Sequence, residues 1–144
     1  MAVPLVALST LVVSLGLKAF FAMPRPVTYL YKMVDSGEVQ LIPDLYMNVG
    51  YNSFPSGNSM SAFAIFTFLA LCFSNKRWTA WLAIPAALVA FSRVVITQHF
   101  LMDILAGSLL GLVIGTVLYY LMMNFRSGEG KWYDEPYFKL GKKE

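Results

Sequence analysis

The chain has 144 residues, 58% of them hydrophobic and only 13% charged, against about 25% charged in an average soluble domain. Its 11 basic and 8 acidic residues leave a net charge of +3, with no basic stripe and interleaved aromatics of the kind that grips nucleic acid. The length allows one domain, the composition excludes an ordinary soluble globule, and the single cysteine, Cys72, excludes an internal disulfide or a cysteine zinc cluster.

The first 17 residues carry no charge, and the first charge, Lys18, follows the apolar stretch. A secretory signal has a basic region before its apolar core, so the segment from about Val3 to Phe21 is predicted to be a transmembrane helix. A long, polar, tyrosine-bearing segment follows from Pro24 to Pro55, with Tyr29, Tyr31, Tyr46 and Tyr51. A loop of that length in a compact domain is usually functional or disordered. Three more apolar stretches are predicted to be membrane helices: about Gly57 to Phe73, Trp78 to Ile96 and His99 to Phe125. Cys72, inside the second, reads as a small buried hydrophobe. Pro85, inside the third, is expected to kink it. Residues 74–78, SNKRW, form a short basic turn, and Thr97 and Gln98 are barely a turn at all. The expectation is an all-α membrane bundle over residues 1–125, with an outer loop at 24–55 and a polar tail at 126–144.

Charge asymmetry orients the bundle. Lys76, Arg77, Arg126, Lys131, Lys139, Lys142 and Lys143 fall on one side, and apart from the candidate site residues only Lys32 falls on the other. The positive-inside rule then places the short turn and the tail in the cytoplasm and the long loop outside. Trp78 and Trp81 fit an interfacial belt beside Lys76 and Arg77, and Trp132, Tyr133, Tyr137 and Phe138 fit the headgroup region. Gly107, Gly111 and Gly115, at four-residue spacing, form a small-residue stripe suited to tight packing inside the bundle or to a dimer seam.

On this topology the polar residues converge at the outer membrane face. Lys18 lies near the end of the first helix and Arg25 follows it between Pro24 and Pro26, Ser56, Gly57 and Asn58 open the second, Ser92 and Arg93 lie near the end of the third, and His99 and Asp103 open the fourth. Ionisable residues at such depth are functional by default. Three cations in one place repel unless an anion lies among them. The start of the second helix adds free backbone N–H groups, Gly57 permits a close approach, and Ser56 can cap the helix. His99 and Asp103, four residues apart, are expected to share a helix face and to hydrogen-bond. The carboxylate then fixes the imidazole tautomer and leaves the other nitrogen free to attack. These features read as a phosphoryl-transfer site. No carboxylate cluster for a metal is visible, and no cofactor is implied.

These residues also spell a known pattern. KAFFAMPRP (18–26), PSGN (55–58) and SRVVITQHFLMD (92–103) resemble the three signature motifs of the type 2 phosphatidic acid phosphatase superfamily. That superfamily of lipid phosphatases also includes vanadium haloperoxidases and bacterial acid phosphatases. Its usual motifs read K-x6-R-P, P-S-G-H and S-R-x5-H-x3-D, and the spacing here matches all three. The resemblance implies that His99 is a nucleophile forming a phosphohistidine and that Asp103 orients it. It further implies that Lys18, Arg25, Ser56, Gly57 and Arg93 hold the phosphate oxygens.

Two departures stand out. Membrane members commonly have six transmembrane helices where four are counted here, so the chain is expected to be either a minimal member or a fragment that takes further helices from another segment or a partner. Homo-oligomerisation is the other expectation. Second, Asn58 stands where the motif has the histidine that protonates the leaving oxygen and later activates water. An amide can donate a hydrogen bond but cannot deliver a proton, so the site reads as built for catalysis and impaired as written. The sequence reading is thus a metal-independent phosphatase of a membrane lipid, integral to a bacterial inner membrane and facing the periplasm or cell exterior. Polyprenyl diphosphate, phosphatidylglycerol phosphate, phosphatidic acid and lipid A phosphates are its candidate substrates. The rivals are a non-catalytic phospholipid-binding scaffold, argued from Asn58, and a vanadate-dependent peroxidase.

Overall fold

The structure, a computed structural model, describes residues 2–38, 48–73 and 79–126. The regular elements among these residues are helices, without a β-strand among them. Helix α1 spans Ala2–Phe21, and two short helices follow, α2 (Pro26–Tyr29) and α3 (Tyr31–Asp35). Then come α4 (Gly57–Cys72), a 3-10 turn (Ala80–Leu82) that runs into α5 (Ala83–Val95), and α6 (Leu101–Arg126). The basic turn with Lys76 and Arg77, Trp78, Tyr46 and the tail beyond residue 126 lie outside the described residues.

All four expected apolar segments are helices, but they differ in reach. Among the described residues two stretches are long and apolar enough to cross a membrane, one beginning at Ala2 and containing α1, the other Leu101–Asn124. At 1.5 Å per residue the 20 residues of α1 extend about 30 Å, the thickness of a bilayer core. The segments Gly57–Cys72 and Ala80–Val95 are apolar but shorter. The kink expected at Pro85 takes another form. Pro85 sits in the first turn of α5, where its missing N–H costs no helical bond, and the irregularity lies ahead of it as the 3-10 turn.

Side-chain distribution is that of a chain solvated by hydrocarbon. Leu8, Val12, Leu15, Leu105, Leu109 and Val113 are exposed, while Thr10, Ser14, Ser59, Ala62 and Ala86 are buried. Large apolar groups outside and small or polar ones inside is how membrane helices pack, because lipid offers no hydrophobic drive between them.

Helix α4 touches each of α1, α5 and α6, and its contact with α6 is set by glycine. A Cβ at Gly107 would collide with the Ser56 carbonyl, one at Gly111 with the Met60 carbonyl, and one at Gly115 with the Ala64 carbonyl. Steps of four residues on α6 thus match steps of four on α4, and the two helices run parallel in register. The glycine stripe packs inside the bundle, which removes it as a dimer seam. Towards the far end of the bundle, Val6, Ala64, Phe68 and Cys72 form a buried cluster covered by Ile114, Leu118 and Met122.

Gly111→Ala should therefore weaken the α4–α6 seam, since its Cβ would meet backbone and the Phe63 Cβ at once. A destabilisation of about 1–3 kcal/mol is expected for such overpacking, measured by denaturation in detergent. Gly16→Ala, where a Cβ meets nothing within 4 Å, should be neutral or stabilising by up to about 1 kcal/mol from helix propensity.

Candidate active site

Four helix ends meet at one end of the bundle: the C-termini of α1 and α5 and the N-termini of α4 and α6. Each is finished by a local device that fixes a polar side chain. Ser56, in extended conformation, caps α4, and its Oγ accepts from the backbone N–H and the hydroxyl of Ser59. Its own N–H donates to the Asp103 carbonyl at 3.0 Å, which ties the start of α4 to the start of α6.

The turn after α5 delivers the histidine. Thr97 N–H donates to Val94 O at 2.9 Å and Gln98 N–H to Arg93 O at 3.0 Å, the bonding pattern of a Schellman cap. Thr97 takes the left-handed position with φ 56°, unusual for a β-branched residue. The next amide, His99 N–H, reaches Arg93 O at 3.2 Å. His99 consequently lies in the turn, two residues before α6 begins at Leu101. The expected helix start at His99, and with it a helix face shared with Asp103, is corrected: the chain reversal spends residues 96–100 before regular hydrogen bonding starts.

The pair still meets. His99 Nδ1 lies 3.3 Å from Asp103 Oδ2, and both residues are buried. The same carboxylate oxygen accepts from Phe100 N–H at 2.9 Å, the reach-back of a capping box, and from the Ser53 hydroxyl. Ser53 Oγ is also 3.4 Å from His99 Nδ1. Three donors on one oxygen leave the carboxylate little freedom, and through it the ring. His99 Nε2 makes no hydrogen bond among the described residues, and His99 lines a cleft of about 320 Å³.

Lys18, Arg25, Gly57 and Asn58 line that cleft with His99; Ser56 and Arg93 do not. Lys18 Nζ donates to Asn52 O at 2.9 Å. Arg25 is buried, with Nε donating to Asn52 Oδ1 at 2.7 Å and Nη1 to Gln98 O at 3.2 Å. Arg93 stands behind the cleft, Nη1 at 3.4 Å from Gln98 Oε1 and its buried Nε without a partner among the described residues. None of these three cations forms an ion pair among the described residues. Asn58 is solvent-exposed at the cleft wall. Sequence reasoning missed Asn52, Ser53 and Gln98. Asn52 and Ser53 are brought in when residues 50–53 pair with 23–25, through Arg25 N–H to Gly50 O at 2.9 Å and Ser53 N–H to Met23 O at 3.0 Å, and Gln98 by the turn after α5.

A family model described as the PAP2 superfamily matches residues 1–127. The chain belongs to the PAP2 superfamily. It is 35% identical over 80 residues to a lipid A 4'-phosphatase of Porphyromonas gingivalis, covering 54% of this chain and 33% of that protein. It is 26% identical over 148 residues to a probable lipid phosphate phosphatase 4 of Arabidopsis thaliana, covering 87% of this chain and 48% of that one. The chain thus spans a third to a half of the length of these relatives. Among solved structures it resembles the crystal structure of Aquifex aeolicus LpxE, with a TM-score of 0.63, 27% identity and coverage of 83% of this chain and 66% of that one. The three segments that carry the PAP2 motifs here, from α1, α4 and the α5–α6 turn, are the ones that gather around the cleft.

In this PAP2 chain Ser53→Ala should cost about 1–3 kcal/mol, because it removes a donor from a buried carboxylate. Denaturation in detergent measures it. In an Asp103→Ala background the same change should cost clearly less. Equal costs in both backgrounds would show that Ser53 does not act through Asp103.

Proposed function

We propose that this chain carries the phosphoryl-transfer site of a membrane lipid phosphatase acting on a terminal phosphate or diphosphate, without a metal, through a phosphohistidine at His99. The observation that carries the reading is the combination at one cleft: an imidazole held by a carboxylate, beside cations with no carboxylate partner among the described residues. A phosphoryl group supplies the missing negative charge.

Each residue has a role in the proposal. Lys18, Arg25 and the backbone at Gly57 bind the phosphoryl oxygens, where the N-terminal dipole of α4 adds to the field. Arg93 supports them from behind, and Ser56 holds the α4 backbone in place. His99 Nε2 attacks phosphorus while Asp103, with Ser53, keeps the proton on Nδ1 and stabilises the charge that develops on the ring. Asn58 occupies the position from which a proton must reach the leaving oxygen. Because the cleft lies at the end of membrane helices, the phosphate is that of a lipid, and the named relatives, lipid A and lipid phosphate phosphatases, act on such lipids. A polyprenyl diphosphate is slightly favoured over the monoesters, since its leaving phosphate departs without a proton. The charge pattern favours an extracytoplasmic cleft in a bacterial inner membrane.

Asn58 itself favours a second reading, a phospholipid-binding protein without turnover. Phosphate release in detergent separates the two. Asn58→His should raise the rate by about 10²–10⁴-fold, and more on a lipid monophosphate than on a polyprenyl diphosphate. His99→Ala should abolish release in both backgrounds. Absence of turnover in Asn58→His would favour the binding role.

A further inference from the structure

Helix α1 carries three hydroxyls besides the PAP2 motif, and two of them behave as helix hydroxyls usually do. Ser9 Oγ donates to Leu5 O at 2.8 Å and Thr10 Oγ1 to Ala7 O at 2.9 Å, the latter also meeting Ser61 Oγ at 2.9 Å. Ser14 does not. It is 5% exposed, yet its hydroxyl makes no hydrogen bond among the described residues. The residue is buried while its unpartnered hydroxyl is open to the cleft that it lines, and its direction is informative. Its Oγ is the atom that a Cβ on Gly57 would meet, at 2.8 Å, so it points at the first residue of α4, where backbone N–H groups have no helical acceptor. Ser14 also lines the cleft with Lys18, Asn58 and His99, one helical turn before Lys18 and on the same face of α1.

We propose that Ser14 is a binding residue for the ligand at the α4 N-terminus, its hydroxyl donating to a phosphoryl oxygen that Gly57 and Lys18 hold from the other sides. This explains two features together. The hydroxyl is left open in the protein because its acceptor arrives with the ligand, and residue 57 lacks a side chain because one would displace Ser14 Oγ. The inference rests on the phosphate-binding reading of the cleft and adds to it a group outside all three motif segments.

Orthovanadate, a tetrahedral oxyanion, serves as the probe, with its affinity for the full chain in detergent measured calorimetrically and thermal unfolding recorded with and without it. Ser14→Ala should weaken vanadate binding about five- to tenfold, while Ser9→Ala leaves it unchanged. Without vanadate, Ser14→Ala should unfold at the same temperature as the parent, because the hydroxyl it removes bonds nothing among the described residues. A Ser14→Ala protein that binds vanadate like the parent, while Arg25→Ala loses binding, would overturn the role of Ser14 and leave the cleft as an oxyanion site. A Ser14→Ala protein that loses stability in step with affinity would make the residue structural and overturn the proposal. Failure of the parent itself to bind vanadate would overturn both readings.

Discussion

The close approach of α6 to α4 is the contact on which the rest of the site depends. Gly107 lies against the Ser56 carbonyl, and one step away the Ser56 N–H donates to the Asp103 carbonyl. Without a side chain at residue 107, the capping residue of α4 and the first turn of α6 share one backbone junction. Everything chemical is hung from that junction. Gly57 and Asn58 extend from one side of it, Asp103 and its hold on His99 from the other. The parallel register continued by Gly111 and Gly115 makes the junction rigid, and so gives two helix N-termini, each the positive end of its dipole, a fixed relation to one cleft.

A second constraint is charge. Lys18, Arg25 and Arg93 come from three different segments, and in an ordinary fold each would be matched by a carboxylate. Here neutral groups separate them: Asn52 takes bonds from Lys18 and Arg25, and Gln98 from Arg25 and Arg93. Amides and carbonyls orient the cations without neutralising them. The one described carboxylate of the site, Asp103, is committed to His99, Ser53 and Phe100. Among the described residues the cations thus keep their positive field, and His99 is held by a separate network.

Much of this was legible in the sequence, for specific physical reasons. Uncharged stretches of bilayer length identify helices whatever their neighbours, and rigid spacings such as Lys18 to Arg25 or Arg93 to His99 survive as text because each lies within a single turn or helix end. The sequence placed the end of α5 within a residue, but the start of α6 was misjudged by two residues because the left-handed turn at Thr97 needs no glycine here and nothing in the letters marks its length. Ser53 and Asn52 were invisible because their partners come from segments distant in the chain, and Gln98 because only the closed bundle brings Arg25 to it. Ser14 was hidden for the opposite reason. A serine inside a helix ordinarily bonds its own backbone, and only the observed direction of its hydroxyl distinguishes it. The glycine stripe was ambiguous in sequence between two uses, and the register against Ser56, Met60 and Ala64 decides between them.

In the proposed mechanism His99 is the nucleophile and Asn58 slows the second step. With a diphosphate the first step needs no proton for its leaving group, whereas hydrolysis of the phosphohistidine needs a base to activate water. The most direct measurement is to incubate the protein in detergent with a polyprenyl diphosphate labelled in its terminal phosphate, quench in alkaline detergent, and map the label by mass spectrometry. The account predicts a covalent phosphate that accumulates on His99, is absent in His99→Ala, and turns over in Asn58→His. Phosphate release without a labelled protein intermediate in any of these forms, or a label on another residue, would contradict it.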